Sequence, residues 1–453
     1  LTANTTGASN VAVGRSALVA NTTGHENSAI GVNSMLANTT GGFNVALGYY
    51  ALAANTTADK NVGIGSGAGQ LITTGANNVA IGADALDANV TGTLNVAIGT
   101  DALGAYLSST STAVGYAALS LATGVENQAF GSRALQNTTT GSENTAVGRS
   151  AMVSNTSGAF NVAVGKQALE NNTTAVYNTS VGYQSLKANT TGTNNVAMGY
   201  HALTATTTGS YNVAIGNSSG SSITTGTQNV IVAANGGAIT TGSNFTCLGY
   251  ASMGGAISTG DKNTAVGYAT LYEVTSGGNN TALGGDAGRA ASPSGSITTG
   301  SNRIVLGNNS VTNAYIKVAW TVTSDARDKT DFTPLDLGLD FVKELKPITY
   351  KWDMRSNYGD SEAEDYDLAA QTPDGTHKED WLDIGFKAQE VEALEIAAGY
   401  NKDNKTNLIS SYTEDGNSMG LKYEKFVPIL VKAIQEQQTL IESLTDRITA
   451  LEG

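Results

Sequence analysis

One cysteine and five prolines in 453 residues are the first constraints this chain sets. A single thiol excludes a disulfide framework within the chain. Cys247, assigned to a position otherwise held by Val, Ile or Leu, is expected to be a small buried hydrophobe. Acidic residues are scarce through residue 310, with 11 acids against 9 bases there and 27 against 15 beyond it. Glycoside hydrolysis needs paired carboxylates flanking a groove, so acids scattered one per repeat or fewer disfavour a polysaccharide-degrading enzyme. A formal net charge of −14 excludes the basic surface that nucleic acid or an anionic membrane requires. No apolar run approaches the roughly 18 residues of a membrane span. No signal peptide precedes Leu1-Thr-Ala-Asn-Thr-Thr-Gly7, which already lies inside a repeat, so the chain is read as a fragment of a longer protein.

What is abundant is glycine on a beat. Gly14, Gly31, Gly48, Gly65, Gly82 and Gly99 recur every 17 residues, and the beat continues with small slips to Gly284. Self-similarity at a short fixed period indicates a solenoid, whose units bury their apolar faces only by stacking. In each copy a Val-Ala-Val-like triplet predicts a short strand with both large residues on one face. Leu or Met four residues after the glycine, as at Leu18, Met35 and Leu52, marks a second buried position. Where that position is Gly69, Gly220 or Gly237, an isoleucine follows at Ile72, Ile223 or Ile239, returning the lost bulk. Asn occupies the position four before the glycine in fifteen of eighteen copies, the exceptions being Ser111, Phe245 and Arg303. Stacked at about 4.8 Å, such residues form an amide ladder at a corner. Thr-Thr-Gly supplies the other corner. Triplets such as those at Asn21 and Asn38 match the glycosylation acceptor pattern but are read as that corner.

Asn, Thr and Gly dominate and apolar helical spacing is absent, so residues 1–310 are predicted to be mainly β, a β-roll or β-helix shaft. Eighteen coils span on the order of 85 Å. The repeat resembles the Asn-x-Ala-x-Gly coils of trimeric autotransporter adhesin heads, and similar Asn-Thr-Thr-Gly repeats occur in phage tail fibres. Aromatics between the strands, at Phe43, Tyr49, Tyr50, Phe160, Tyr177 and Tyr211, are open to two readings, a sugar-stacking surface or packing and loop filler.

The beat stops after Asn309, and residues 311–323 are read as a closing strand, Tyr315 to Thr323, with a cleavage junction. Beyond lie four of the five prolines and most of the charge. The blocks Ser324-Asp-Ala-Arg-Asp-Lys329, Leu337 to Trp352, Ile384 to Val391, Asn407 to Ser410 and Leu421 to Gln437 resemble a known module. It is the C-terminal intramolecular chaperone auto-processing domain of phage tail fibres and tail spikes, familiar from endosialidases and found in a eukaryotic myelin regulatory factor. The resemblance spans 324 to about 445 and implies an α+β domain, 324–453, that trimerises, folds the shaft and then cuts itself off. It assigns Ser324 as nucleophile, Lys329 as its partner, and cleavage between Thr323 and Ser324. A serine hydroxyl needs a base, and a lysine desolvated in an apolar pocket can act neutral. Asp325 and Arg327 match the motif and are expected to orient the chain or stabilise the oxyanion. Asp328 stands where an apolar residue is expected, and a carboxylate there favours the charged lysine.

His377 falls in an acidic stretch, Arg355 to Asp380, read as an exposed loop with no catalytic role. Asp360, Glu362, Glu364, Asp365 and Asp367 do not fit EF-hand spacing, and neither metal nor cofactor is expected. From Leu430 the apolar beat becomes 4-3-4-3 through Ile434, Gln437, Ile441, Leu444, Ile448 and Leu451, predicting a coiled-coil helix over 427–451. Peptide rules favour two strands and the resemblance three; packing back on its own domain is the alternative. Two functions stay open. One is a homotrimeric viral tail-fibre or tail-spike shaft, located on the virion and binding a host-surface glycan or protein, with a single-turnover serine endopeptidase acting on its own chain. The other is an adhesin or filament at the bacterial surface using the same chaperone.

Overall fold

The computed structural model describes residues 1–105, 109–317, 322–359 and 367–453. The chain divides into two compact units, Leu1–Leu283 with Ser301–Ile304, and Gly284–Gly300 with Val305–Gly453. The chain is mainly β, and the first unit is a β-solenoid. Eighteen three-residue strands, β1 to β18, run from Val11–Val13 to Ile304–Leu306, the last lying at the division. Pairing is parallel and offset by one coil, so that Val162 pairs with Thr145 on one side and Thr179 on the other.

The glycine beat marks where successive backbones touch. Gly14 has φ +127°, and a Cβ there would sit 2.5 Å from the carbonyl oxygen of Gly31, which meets Gly48 in the same way. Both the dihedral and the neighbour therefore exclude a side chain. The leucine column is also left-handed: Leu18, Met35 and Leu52 have φ of 50°, 46° and 49° and are fully buried. An L-residue in this region costs roughly 1–2 kcal/mol. Burying the leucine returns about 1.5–3 kcal/mol, so the coil tolerates it. Gly69, Gly220 and Gly237 keep the left-handed backbone without that cost, and Ile72, Ile223 and Ile239 fill the vacated core.

The strands face the other way from the expected core. Their middle residue is inside, with Ala29, Ala80 and Ala163 fully buried, whereas Val11, Val13, Ile30 and Leu47 are 42–56% exposed. The interior is narrow where the leucine column crosses it, and Ile231 fits inside beside Gly220 and Gly237, where that column has no side chain. Even at Gly63 an added Cβ would lie 2.8 Å from Leu52 Cγ. Cys247 corrects in the same sense. It belongs to this inward, mostly alanine column beside Ile231 and Ala265. Burial pushes its thiol up to about 12, against a smaller opposing effect of a hydrogen bond with Ser252.

Two asparagine ladders hold the corners. In the expected one, Asn161 donates to Asn144 Oδ1 at 3.1 Å and to the Ala175 carbonyl at 2.8 Å, while its Oδ1 accepts the N–H of Asn178 at 3.0 Å. The second is built from the Asn of Asn-Thr-Thr-Gly. Asn38 donates to Asn21 Oδ1 at 2.8 Å and to the Gly41 carbonyl at 3.0 Å. Asn21 and Asn38 are wholly buried, so the acceptor triplets are structural.

The second unit is α+β. Helix α1 (Leu339–Glu344) precedes β19 (Ile348–Tyr350), which pairs antiparallel with β20 (Asp383–Gly385). Helix α2 (Ala388–Ala397) follows, then the hairpin β21 (Ser410–Tyr412) and β22 (Met419–Leu421), then α3 (Phe426–Glu452). Leu337, Phe341, Val391, Ile409, Phe426 and Ile429 form its core. Helix α3 matches the expected span within a residue at each end, and Pro428 sits in its first turn, where a missing N–H costs nothing. Only Phe426, Ile429 and Ala433 of α3 are buried. The seam from Leu430 through Ile434, Ile441, Leu444 and Ile448 to Leu451 is exposed, so packing back on its own domain holds for the first turns alone. Of the expected closing strand Tyr315–Thr323, Val318–Thr321 lie outside the described residues and the rest forms no strand. No described helix is long and apolar enough to cross a membrane.

Candidate active site

A single tight turn brings the candidate nucleophile and the candidate base together. Asp325 is extended and caps the 3₁₀ turn Ala326–Asp328, its carboxylate accepting the Arg327 backbone N–H at 2.9 Å. The Arg327 guanidinium closes on the same carboxylate through Nη2 at 2.6 Å and Nε at 3.1 Å. That guanidinium, with the Arg327 N–H, holds the Asp325 carboxyl below its ordinary range. Lys329 leaves the turn in extended conformation. Residues 324 and 329 therefore flank one reversal, and Lys329 Nζ donates to Ser324 Oγ at 2.5 Å.

Of the motif residues, Ser324 and Lys329 come within hydrogen-bond reach of each other, while Asp325 and Arg327 grip each other and shape the turn. Thr323, whose carbonyl precedes Ser324, is exposed, as are Ser324 and Lys329. The expected apolar pocket around the lysine is thus not formed within one chain, because a one-turn segment has no apolar residues of its own to cover Nζ. No ion pair joins Asp328 to Lys329 among the described residues, and the Asp328 N–H bonds the Asp325 carbonyl instead. A serine activated by an amine within hydrogen-bond reach is competent for acyl transfer once the amine is neutral.

Three carboxylates that nothing in the sequence singled out brace this unit. Glu395, fully buried, accepts the N–H groups of Leu408 and Ile409 at 2.7 Å and of Ser410 at 2.9 Å. Burial pushes its carboxyl up, but the Ser410 hydroxyl and the three N–H groups outweigh it and hold the group below its usual range. Glu414, in the β21–β22 hairpin, accepts from Thr299 N and Gly300 N at 2.8 Å and from Thr298 Oγ1 at 3.1 Å. Glu436 of α3 accepts the Leu339 N–H at 2.6 Å at the start of α1, passing so close to Gly338 that a Cβ there would lie 2.2 Å from it. Each partner is remote in sequence, so no local pattern marks these residues.

A cleft of about 620 Å³ opens in the same unit between Trp352, Trp381, Met419 and the carboxylates of Glu379 and Asp383. Trp352 Nε1 donates to Asp383 at 3.2 Å. Neither Ser324 nor Lys329 lines it. His377 packs edge-on against Tyr358 at 4.8 Å. Asp360, Glu362, Glu364 and Asp365 lie outside the described residues, and Asp367 caps a turn by accepting the Ala369 N–H at 2.8 Å. On the solenoid, Phe160 stacks on Tyr177 at 5.1 Å, and Tyr183 on Tyr200 at 5.4 Å. Rings stacked coil on coil cover one another's faces, which favours packing over sugar stacking at these pairs.

Residues 324–400 match the family model described as chaperone of endosialidase, a match that begins at the candidate nucleophile. No curated protein and no solved structure matches the chain. The match lies within the second unit, and a chaperone module of this kind fits a homotrimeric, fibre-type protein.

Proposed function

We propose that this chain is the shaft of a trimeric viral tail fibre or tail spike, carried on the virion for host attachment and folded by a C-terminal chaperone that then cuts itself free. The carrying observation is the Ser324–Lys329 contact at the residue where the chaperone match begins. The uncovered α3 seam supports assembly, since an apolar heptad stripe left in water demands a partner.

In the proposed step a neutral Lys329 takes the Ser324 hydroxyl proton. Ser324 Oγ adds to the Thr323 carbonyl carbon, and the Thr323–Ser324 C–N bond breaks as the lysine returns the proton to the leaving nitrogen. The resulting ester is hydrolysed by water, so one turnover consumes one water. Because Lys329 is solvated in a single chain, the step is expected to await assembly, when neighbouring copies can desolvate the amine. Intact-mass measurement tests this reading. The unmutated chain should split between 323 and 324, and Ser324→Ala and Lys329→Gln should each remain near 46 kDa per chain. The same cut in Ser324→Ala would remove Ser324 from the mechanism.

A further inference from the structure

The last Thr-Thr-Gly corner of the repeat, Thr298-Thr299-Gly300, has no later corner to take up its donors, because the repeat ends after Asn309. The same pentapeptide, Ser-Ile-Thr-Thr-Gly, stands at 222–226 and at 296–300. At the first, the Thr224 N–H, the Thr224 hydroxyl and the Gly226 N–H converge on the Thr240 carbonyl of the next coil, at 2.9, 3.2 and 3.4 Å. At the second, a carboxylate of the β21–β22 hairpin takes the carbonyl's place. Glu414 Oε1 accepts from Thr299 N, Thr299 Oγ1 and Gly300 N at 2.8 Å and from Thr298 Oγ1 at 3.1 Å, while Oε2 accepts from Gly300 N at 2.9 Å. Convergent backbone N–H groups make an anion-binding concavity, and bonds to a charged acceptor are the shorter ones. The corner at 222–226 has this shape with no carboxylate present, so the seat belongs to the repeat and not to its occupant.

The next acid of the hairpin turn sits beside it. Burial pushes the Asp415 carboxyl up, but the Thr413 hydroxyl and the N–H groups of Asn417 and Ser296 outweigh it and hold the group below its ordinary range. Both Asp415 carboxylate oxygens lie 2.9 Å from where a Cβ of Gly295 would be, and Gly295 has φ +62°, so a side chain there is excluded. We propose that residues 295–300 form a docking site for an acidic Glu-Asp turn of a partner protein, filled in the uncut chain by the chaperone's own hairpin and opened when that domain leaves. This rests on the self-cleavage reading and gives the processed shaft a recognition chemistry, two adjacent carboxylates taken up by backbone and hydroxyl donors. The occupant on view is a peptide turn with both acids engaged, which favours a protein loop over an acidic sugar with one carboxylate. In a homotrimer each copy carries one seat, so a weak single contact gains from avidity.

The probe is a cyclised peptide of residues 413–418, Thr-Glu-Asp-Gly-Asn-Ser, displayed densely on a surface. The shaft is prepared by letting the full chain cut itself and separating the released domain in high salt. It should bind the surface, and the uncut Ser324→Ala chain, whose seat is filled, should not. The same peptide with Glu414→Gln and Asp415→Asn should bind at least about tenfold more weakly, and Thr299→Val in the shaft should weaken binding by about as much. Thr225→Val, at the identical corner whose donors the next coil covers, should leave binding unchanged. Equal binding of the amide peptide, or an unchanged Thr299→Val shaft, overturns the proposal, as does binding by the uncut chain. Displacement of the peptide by soluble glucuronate at equal concentration makes the seat one for acidic sugars and overturns it too. A chain that does not cut itself strikes the processing reading alone, because an added protease site between Thr323 and Ser324 yields the same shaft for the same measurements.

Discussion

Replacing Glu395 by glutamine tests whether the second unit is held by a buried carboxylate. Its two oxygens accept three backbone N–H groups at 2.7–2.9 Å. The amide keeps one acceptor oxygen and turns an NH₂ toward a backbone donor. Hydrogen bonds to a charged acceptor contribute about 1.5–3 kcal/mol and neutral ones about 0.5–1.5, while an orphaned buried N–H costs about 1–3. Losing charge assistance on two bonds and orphaning one donor therefore costs about 3–5 kcal/mol. For a unit of this size that is a fall in Tm of roughly 10–15 °C. All three tryptophans lie beyond residue 311, so tryptophan fluorescence follows this unit without interference from the solenoid. The folded carboxyl is held low, so its stabilisation is complete above the unfolded value and disappears as pH falls through the folded one. The unmutated unit should thus lose stability below about pH 4.5, and Glu395→Gln should lack that component. Glu390→Gln, which breaks an exposed pair with Lys387, should cost at most about 1 kcal/mol. A Glu395→Gln loss no larger than this control, with an unchanged acid limb, would refute the reasoning.

Asn161→Ala should cost the solenoid about 3–5 kcal/mol, because it bares the Asn178 N–H and the Ala175 carbonyl inside the shaft. Hydrogen exchange should quicken near coils 144–178 and not near Asn27. Asn161→Ser should cost less, since at Ser111 a hydroxyl already accepts the Asn127 N–H at 3.1 Å. Ile441→Asp changes an exposed residue of α3 and should leave the domain core intact while abolishing assembly. A normal trimer from that variant, by sedimentation, would take the seam out of the interface.

Much of the local structure was legible. The 17-residue glycine beat, the leucine column and the isoleucines that follow Gly69, Gly220 and Gly237 all report constraints within one coil or between adjacent coils, and stacking repeats them until they stand out. The heptad of α3 is legible for the same reason. At the site, six consecutive residues hold the whole turn, so the Ser324–Lys329 pairing is readable from spacing, and the Asp325–Arg327 grip is the short-range device that makes it.

Less legible were features that depend on what lies across the interior. Glu395, Glu414 and Glu436 each serve backbone donors that are remote in sequence, and an acid in an acid-rich segment carries no local mark of that use. The exposure of Lys329 is of the same kind, since desolvation is a property of surrounding chains and not of a hexapeptide. The Asn of Asn-Thr-Thr-Gly looked like a corner residue and proved to be a second buried ladder, because stacking turns every corner amide onto the one before it.

The sequence alone determined the period, the coil contents, the helical seam and the nearness of Ser324 to Lys329, because each is set by neighbours along the chain or one repeat away. Which face of the strands is inside was decided only in three dimensions. Period-two alternation puts two valines on one face without saying which face. The leucine column crossing a narrow interior leaves room mostly for alanine, and so turns the first and third residues of the strands, the larger ones in most coils, outward.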